Sequence, residues 1–348
     1  CLESLQYFSG RLGDQPQVAS RLKNLKMLTD PGPIELSKLE NLQVLTFGRT
    51  VTPAELQGVG GLKNLESLNL SLASVGDECL KEVAALKSLR VLDLSSSRVT
   101  DAGLQELAGL NNLQVLNLRS TGITDSGLKH LRGLKNLLCL NLIETKVTNI
   151  GLQELVPLQS LETLHANVAS MDDADLENLA RLKNLQSLNL SGCGVTDIGL
   201  KHLAGLKNLK NLYLDFSYPG TGEIEHTDAG LKELAGLKNL RQLHLNGSAV
   251  NDAVLQELGR LENLQSLALT YVRANELTDA GLKELVRFKN LRTLHLGTQV
   301  TPARIKELAE IKSLQILSVG EWTDDVTEAE LKELHAALPA CEIWRHGL

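Results

Sequence analysis

The chain has 348 residues, with 35 Lys and Arg against 42 Asp and Glu, a net charge of −7. Apolar residues make up 43% of it but aromatics only 3%, so the core is built on leucine rather than on rings. Mixed, mildly acidic charge argues against a nucleic-acid-binding footprint, which would need a basic face, and no apolar run reaches the ~18 residues of a membrane-crossing helix.

No charged-then-apolar leader opens the sequence. Cys1 stands in the Asn slot that begins each coil, so the sequence starts inside its own pattern. The expectation is a cut, with a preceding cap or domain removed; a lipid-modified Cys1 is the alternative. Cys1, Cys79, Cys139, Cys193 and Cys341 form no CxxC and fall on different faces. They read as free thiols of a reducing, cytoplasmic compartment.

In chain order, an LxxLxL pattern opens at Leu2, Leu25, Leu42, Leu65, Leu89, Leu113, Leu137, Leu161, Leu185, Leu209, Leu240, Leu264, Leu291, Leu314 and, weakly, Cys341. From Leu65 to Leu209 the spacing is 24 residues throughout. LxxLxL has the alternation of a half-buried strand. In the coil opened by Leu89, Leu92 and Leu94 point inward while Val91, Asp93 and Ser95 point outward. The period then lengthens. Leu104, Leu107 and Leu110 mark a short helix, with Thr100 as N-cap and Asp101 as first residue. Pro53 and Pro302 occupy the Asp101 slot, a position that favours proline. Thr52 with Glu55, and Thr327 with Glu330, read as capping boxes. Gly109, Gly133, Gly205 and Gly236 read as glycine caps that end the helices.

Strand, short helix and strand with no hairpin return make the strands parallel, with right-handed crossovers. Helices are wider than strands, so the stack curves with strands inside. The expected fold is an α/β right-handed solenoid, a horseshoe with a concave parallel sheet and short convex helices. It is expected as a single domain over 1–348: irregular coils at 1–41, regular ones at 42–320, and a closing helix and strand at 327–348. The interval from Leu25 to Leu42 is only 17 residues and contains Pro31-Gly32-Pro33, so its helix should be missing. Insertions near 215–227, 270–278 and 320–327 all follow a strand, so their loops should share one rim.

These coils resemble the leucine-rich repeat family over essentially the whole chain. LNLSGCGVTDIGLKHLA is similar to its cysteine-containing subtype. Cys193 keeps that cysteine, but the slot holds Ser97, Thr121, Thr145, Ser248 and Thr298 elsewhere. The Thr/Ser version and the ending LPACEIW are similar to leucine-rich repeat proteins of bacteria such as planctomycetes. The resemblance implies a non-enzymatic scaffold that binds a protein or peptide on its concave face. The alternative is the substrate-recruiting or sensor arm of a larger signalling enzyme, such as a kinase.

The outward middle stripe reads Asn69, Asp93, Asn117, Asn141, His165, Asn189, Tyr213, His244, Ala268, His295, Ser318. It is polar and nearly uncharged. Val91, Val115, Cys139 and Ile143, beside Asp93 and Arg119, form one apolar patch on it. A second patch is the favoured binding site: Tyr213, Asp215, Phe216, Tyr218, His244, Asn246, Tyr271, Arg273, His295 and Trp322. It joins five of the ten aromatics to polar groups on the insertion rim, the composition of an interface hot spot. No Ser-His-Asp set, Walker loop or GxGxxG is present, so no catalysis and no cofactor are expected. His244 and His295 belong to strands two apart, ~9.6 Å by strand spacing, too far to share a metal. A monomer with a protein or peptide partner is expected, with no nucleic acid and no membrane insertion.

Overall fold

Each LxxLxL segment buries its leucines by becoming a short strand that lies beside the next. The structure, a computed structural model, describes residues 5–10, 21–32, 34–48, 51–167, 171–191, 195–216, 227–247, 250–270, 277–324 and 326–345, with residues 167, 191, 215, 298, 299, 321, 322 and 345 described by their backbone alone. Its contacts divide it into two units, Cys1–Asn167 and Val168–Leu348.

The first unit carries β1 (Tyr7–Ser9), β2 (Met27–Thr29), β3 (Val44–Thr46), α1 (Pro53–Leu56), β4 (Ser67–Asn69), α2 (Asp77–Val83) and β5 (Val91–Asp93). It continues with α3 (Asp101–Glu106), β6 (Val115–Asn117), α4 (Asp125–Leu128), β7 (Cys139–Asn141), α5 (Asn149–Leu152) and β8 (Thr163–Asn167). Each strand pairs in parallel with its predecessor. Between β2 and β3 the described residues hold only one 3-10 turn, Leu36–Lys38, as the short interval requires.

The second unit carries α6 (Asp173–Leu179), β9 (Ser187–Ser191), α7 (Asp197–Leu203), β10 (Asn211–Asp215), α8 (Asp228–Glu233), β11 (Gln242–Asn246) and α9 (Asp252–Leu258). It continues with β12 (Ser266–Leu269), α10 (Asp279–Lys283), β13 (Thr293–Val300), α11 (Pro302–Leu308), β14 (Ile316–Trp322), α12 (Glu328–Ala337) and β15 (Glu342–Arg345). These strands are also parallel and in sequential order.

Both cores are leucine stacks. In one coil Leu89, Leu92, Leu94, Leu104 and Leu107 are fully buried, each worth ~1.5–3 kcal/mol of transfer free energy. Two ladders of polar side chains tie consecutive coils together. The first uses the Asn before each opening Leu. Asn112 Nδ2 donates to the Lys87 carbonyl at 2.9 Å, and Asn136 Nδ2 to the Asn111 carbonyl at 2.8 Å. Asn208, Asn239, Asn263 and Asn290 repeat the bond in the second unit.

The second ladder uses the Asp that heads most of the helices. Asp101 accepts the Thr124 backbone N–H at 2.8 Å and the Thr124 hydroxyl at 2.5 Å. Asp77 does the same for Thr100, Asp125 for Thr148, Asp197 for Thr227 and Asp252 for Thr278. Several of these threonines still cap their own helix, Thr124 accepting from the Ser126 N–H. Thr100 donates to Asp77 in the same way but accepts no bond from its own helix. The Asp therefore satisfies orphan donors of the following coil as well as suiting its own helix dipole. A buried glycine sits where that carboxylate lands. A Cβ on Gly103, Gly127, Gly151, Gly199, Gly230 or Gly281 would overlap the preceding coil's Asp.

Several expectations are corrected. Gly109, Gly133, Gly205 and Gly236 are not left-handed caps, since none has positive φ. In the coils of Gly109 and Gly236 the helix tightens into a 3-10 turn that ends on the glycine, and the following Leu N–H closes it. The third insertion is partly strand: β14 runs on through Glu321 and Trp322, because β13 is also long and pairs them with Gln299 and Val300. The last coil is in register one residue earlier than its Cys341 opening implies, pairing Leu317 with Ile343 and Ser318 with Trp344. A one-residue slip exchanges faces, so Trp344 points outward and is 58% exposed.

The Asp–Gly fit yields a test. In an open helix Gly→Ala stabilises by about 1 kcal/mol. Gly127→Ala should instead destabilise, because its Cβ would meet both Asp101 and Ile123. Asp101→Ala alone should cost about 1–3 kcal/mol by stranding the Thr124 N–H. In urea denaturation the double variant should lose less than the sum of the two; strict additivity would show that the two do not touch.

Candidate functional site

The outward residues of the strands divide by what their side chains already do. On β4–β7 of the first unit the stripe is occupied by its own turns. Asn69, Asp93, Asn117 and Asn141 each accept, through Oδ1, the backbone N–H two residues on, at 2.8–3.1 Å. Such Asx turns bend the chain out of the sheet. Leu72, Ser96, Ser120 and Glu144 then take positive φ, between 55° and 59°. The Oδ1 acceptors of these four residues thus hold the rim.

The apolar patch of the first unit behaves likewise. Val91, Val115 and Cys139 stand side by side on β5–β7 and half-cover one another. Arg119 is engaged with Glu144 at 2.7 Å, and Ser120 Oγ also donates to Glu144. Those two bonds hold the Glu144 carboxyl below its usual range. Cys139 is a free thiol that burial pushes up in pKa.

In the second unit β9–β11 are five residues long, so the chain stays extended past the stripe. Tyr213, His244, Ala268, His295, Ser318 and Trp344 stand in one register line across β10–β15. Tyr213 and His244 meet edge to face with ring centroids 4.5 Å apart, a favoured aromatic geometry. Tyr213 OH donates to Gln242 Oε1 on the next strand. The His244 and His295 rings lie 6.5 Å apart, closer than strand spacing suggests, because both lean over the small Ala268, which is only 3% exposed. Ser318 is 2% exposed, and its Oγ has no hydrogen-bond partner among the described residues. The line ends on the open indole of Trp344, beside the partly exposed Ile316.

The expected site residues separate accordingly. Tyr213, His244 and His295 are brought together. Asn246 lies one step along β11 from His244 on the same face, where its Oδ1 accepts from the Thr270 hydroxyl. Phe216 is placed differently from the expectation that it offers a ring on the loop. It is 6% exposed, and its N–H is bonded to the Asn246 carbonyl at 2.9 Å, so it packs inward at the strand end. Asp215 and Trp322 are placed by backbone only, at the ends of β10 and β14. Tyr218, Tyr271 and Arg273 lie outside the described residues. Ser318, already in the expected stripe, and Trp344 complete the line; Trp344 and the flanking Gln242 and Ile316 were missed. A corrected last-strand register is the signal that finds Trp344.

Burial pulls the His244 pKa from 6.5 down to about 4, with the neighbouring His295 charge as the second cause. His244 is therefore neutral at pH 7, a ring rather than a cation. Burial likewise raises Tyr213, keeping its phenol protonated. Among the described residues no group of three or more His, Cys, Asp or Glu side chains could hold a metal ion. No described helix is long and apolar enough to cross a membrane.

Comparison with known proteins agrees with the repeat pattern. A family profile described as a leucine-rich repeat region matches residues 11–218. A leucine-rich repeat protein of Leptospira interrogans superposes with a TM-score of 0.61 at 26% identity, covering 95% of this chain and 93% of that one. An internalin of Listeria monocytogenes gives 0.58 at 20% identity, covering 99% and 87%. The plant peptide hormone receptor RGFR1 in complex with RGF2 gives 0.55 at 19% identity, covering 97% and 57%. No curated protein sequence matches.

The His244 shift sets a pH window. Above 6.5 the imidazole is neutral in both folded and unfolded chains and contributes nothing. Between 6.5 and about 4 the unfolded chain takes the proton first, so stability falls as pH falls. NMR titration should place the His244 midpoint near the lower value, and His244→Gln should flatten the loss of urea stability across this window. A midpoint at the ordinary value would remove the argument that the ring is buried and neutral.

Proposed function

The chain belongs to the leucine-rich repeat family, and we propose that it is a non-enzymatic recognition scaffold. Its partner is a protein or peptide held on the outward strand face of the second unit. One observation carries this reading: the stripe that makes structural Asx turns on β4–β7 becomes a line of rings on β10–β15. There Tyr213, His244, His295 and Trp344 flank a buried, unpartnered Ser318 hydroxyl.

Aromatic side chains concentrate binding energy because they bury large area at low entropic cost. A hydroxyl without a partner supplies a hydrogen bond that a bound group can complete. Tyr213, His244 and His295 are half-buried and braced by one another, and Tyr213 by Gln242, so little ordering of these rings is lost on contact. That RGFR1 was solved in complex with RGF2 supports a peptide or protein as the class of partner. Absence of a nucleophile–base pair or carboxylate pair among these residues favours recognition over chemistry.

A random-peptide display selection on the full chain tests this. Peptides enriched on it should lose roughly 30-fold or more in affinity on Tyr213→Ala/His244→Ala, the equivalent of one hot spot. Trp344→Ala should weaken them too. Asn117→Ala, in the first unit, should lower stability by about 1 kcal/mol yet leave affinity unchanged. Affinity that follows Asn117 and ignores Tyr213 and His244 would refute the assignment.

A further inference from the structure

The residue that leads into each strand of the second unit forms a second line, parallel to the rings. Its members are Gln186, Lys210, Arg241, Gln265, Arg292 and Gln315. The backbone ladder places them side by side: Arg241 N–H donates to the Lys210 carbonyl, Gln265 N–H to Arg241, and Arg292 N–H to Gln265, at 2.7–2.8 Å. The line holds three cations and no acid. Arg241 and Arg292 are exposed and have no acidic partner among the described residues. Among the described residues Lys210 Nζ is bonded to the neutral Gln186 Oε1, at 2.6 Å. The equivalent Arg90 of the first unit has Glu66 beside it at 3.8 Å.

The adjoining rim adds to the field. Lys207 and Lys238 donate to backbone carbonyls rather than to carboxylates, and Lys289 is exposed. Glu262 is the one acid among these loop positions, and Glu342 begins β15 at the far end. The Asp ladder lies at the helix N-termini, engaged with threonines. A chain of net charge −7 therefore presents an uncompensated positive edge beside its exposed rings.

We propose that the partner segment is an acidic peptide, with apolar or aromatic side chains on the Tyr213–Trp344 line and carboxylates on Arg241 and Arg292. The inference rests on the reading that the ring line is the contact surface. The two lines are three residues apart along the strand, about 10 Å, a gap that an Arg and a Glu or Asp side chain span together. Open guanidiniums at such an edge recruit a complementary charge and select against basic segments. A long polyanion such as nucleic acid fits less well, since the net charge of the chain opposes it.

The test uses the full chain, a random-peptide display library, and oligothymidylate as competitor. Enriched peptides should be net acidic, with at least one aromatic or branched apolar residue. Their affinity should fall about tenfold on Arg241→Gln/Arg292→Gln, and on replacing their Glu and Asp with Gln and Asn. It should also weaken several-fold as salt rises from ~50 to ~500 mM, with unchanged circular dichroism and melting. Neutral or basic peptides that need Tyr213 and His244 but ignore the arginines would overturn the acidic assignment and leave the ring surface standing. Peptides indifferent to both sets, or no enrichment at all, would overturn both. Oligothymidylate displacing the peptides with the same arginine dependence would assign the edge to nucleic acid instead.

Discussion

No coil of this protein is complete by itself. Each leaves one edge of its leucines open, the donors of its helix N-terminus unsatisfied, and the carbonyls of its loops bare. The next coil closes all three. Leucine packing supplies most of the free energy, but it is indifferent to register. The Asn and Asp ladders are directional, and they decide which coil position faces which. A glycine at the third helical position belongs to this constraint, since it vacates the space the preceding carboxylate fills. Helix propensity alone would select against it.

Because stability is secured inside and between coils, the outward strand face is free to differ. It differs sharply along the chain. Asn and Asp on β4–β7 are consumed by their own turns. On β10–β15 the turn is replaced by longer strand, and the same position carries rings, a methyl and a buried hydroxyl. Ala268 matters here despite its size: it lets His244 and His295 converge, and their mutual burial keeps His244 uncharged.

Charge is arranged by the same logic. Carboxylates at the helix heads are hydrogen-bonded by the threonines of the following coil. At the strand-leading edge Lys210 bonds a neutral amide, and Arg241 and Arg292 have no acidic partner among the described residues. Acidic composition overall and a basic edge locally are therefore compatible, and the second cannot be read from the first.

How much was legible follows from which interactions are local. Parallel strands, helix starts at Asp101 and its equivalents, Pro at the first helical position and both capping boxes depend on residues within one coil, and the sequence determined them. So did the missing helix between Leu25 and Leu42. The Asp–Thr and Asn–carbonyl ladder bonds described above join residues 23 or more positions apart, so periodicity showed the letters but not the bonds. Gly109 looked like a cap because a glycine after a helix usually is one; continued right-handed backbone made it the end of a 3-10 turn. The candidate site was half legible. Tyr213, His244 and His295 follow from strand alternation. Trp344 did not, because one residue of register in β15 reverses its face, and only pairing with β14 sets that register. Local chemistry decides what each coil becomes; the neighbouring coil decides which of its side chains are left for anything else.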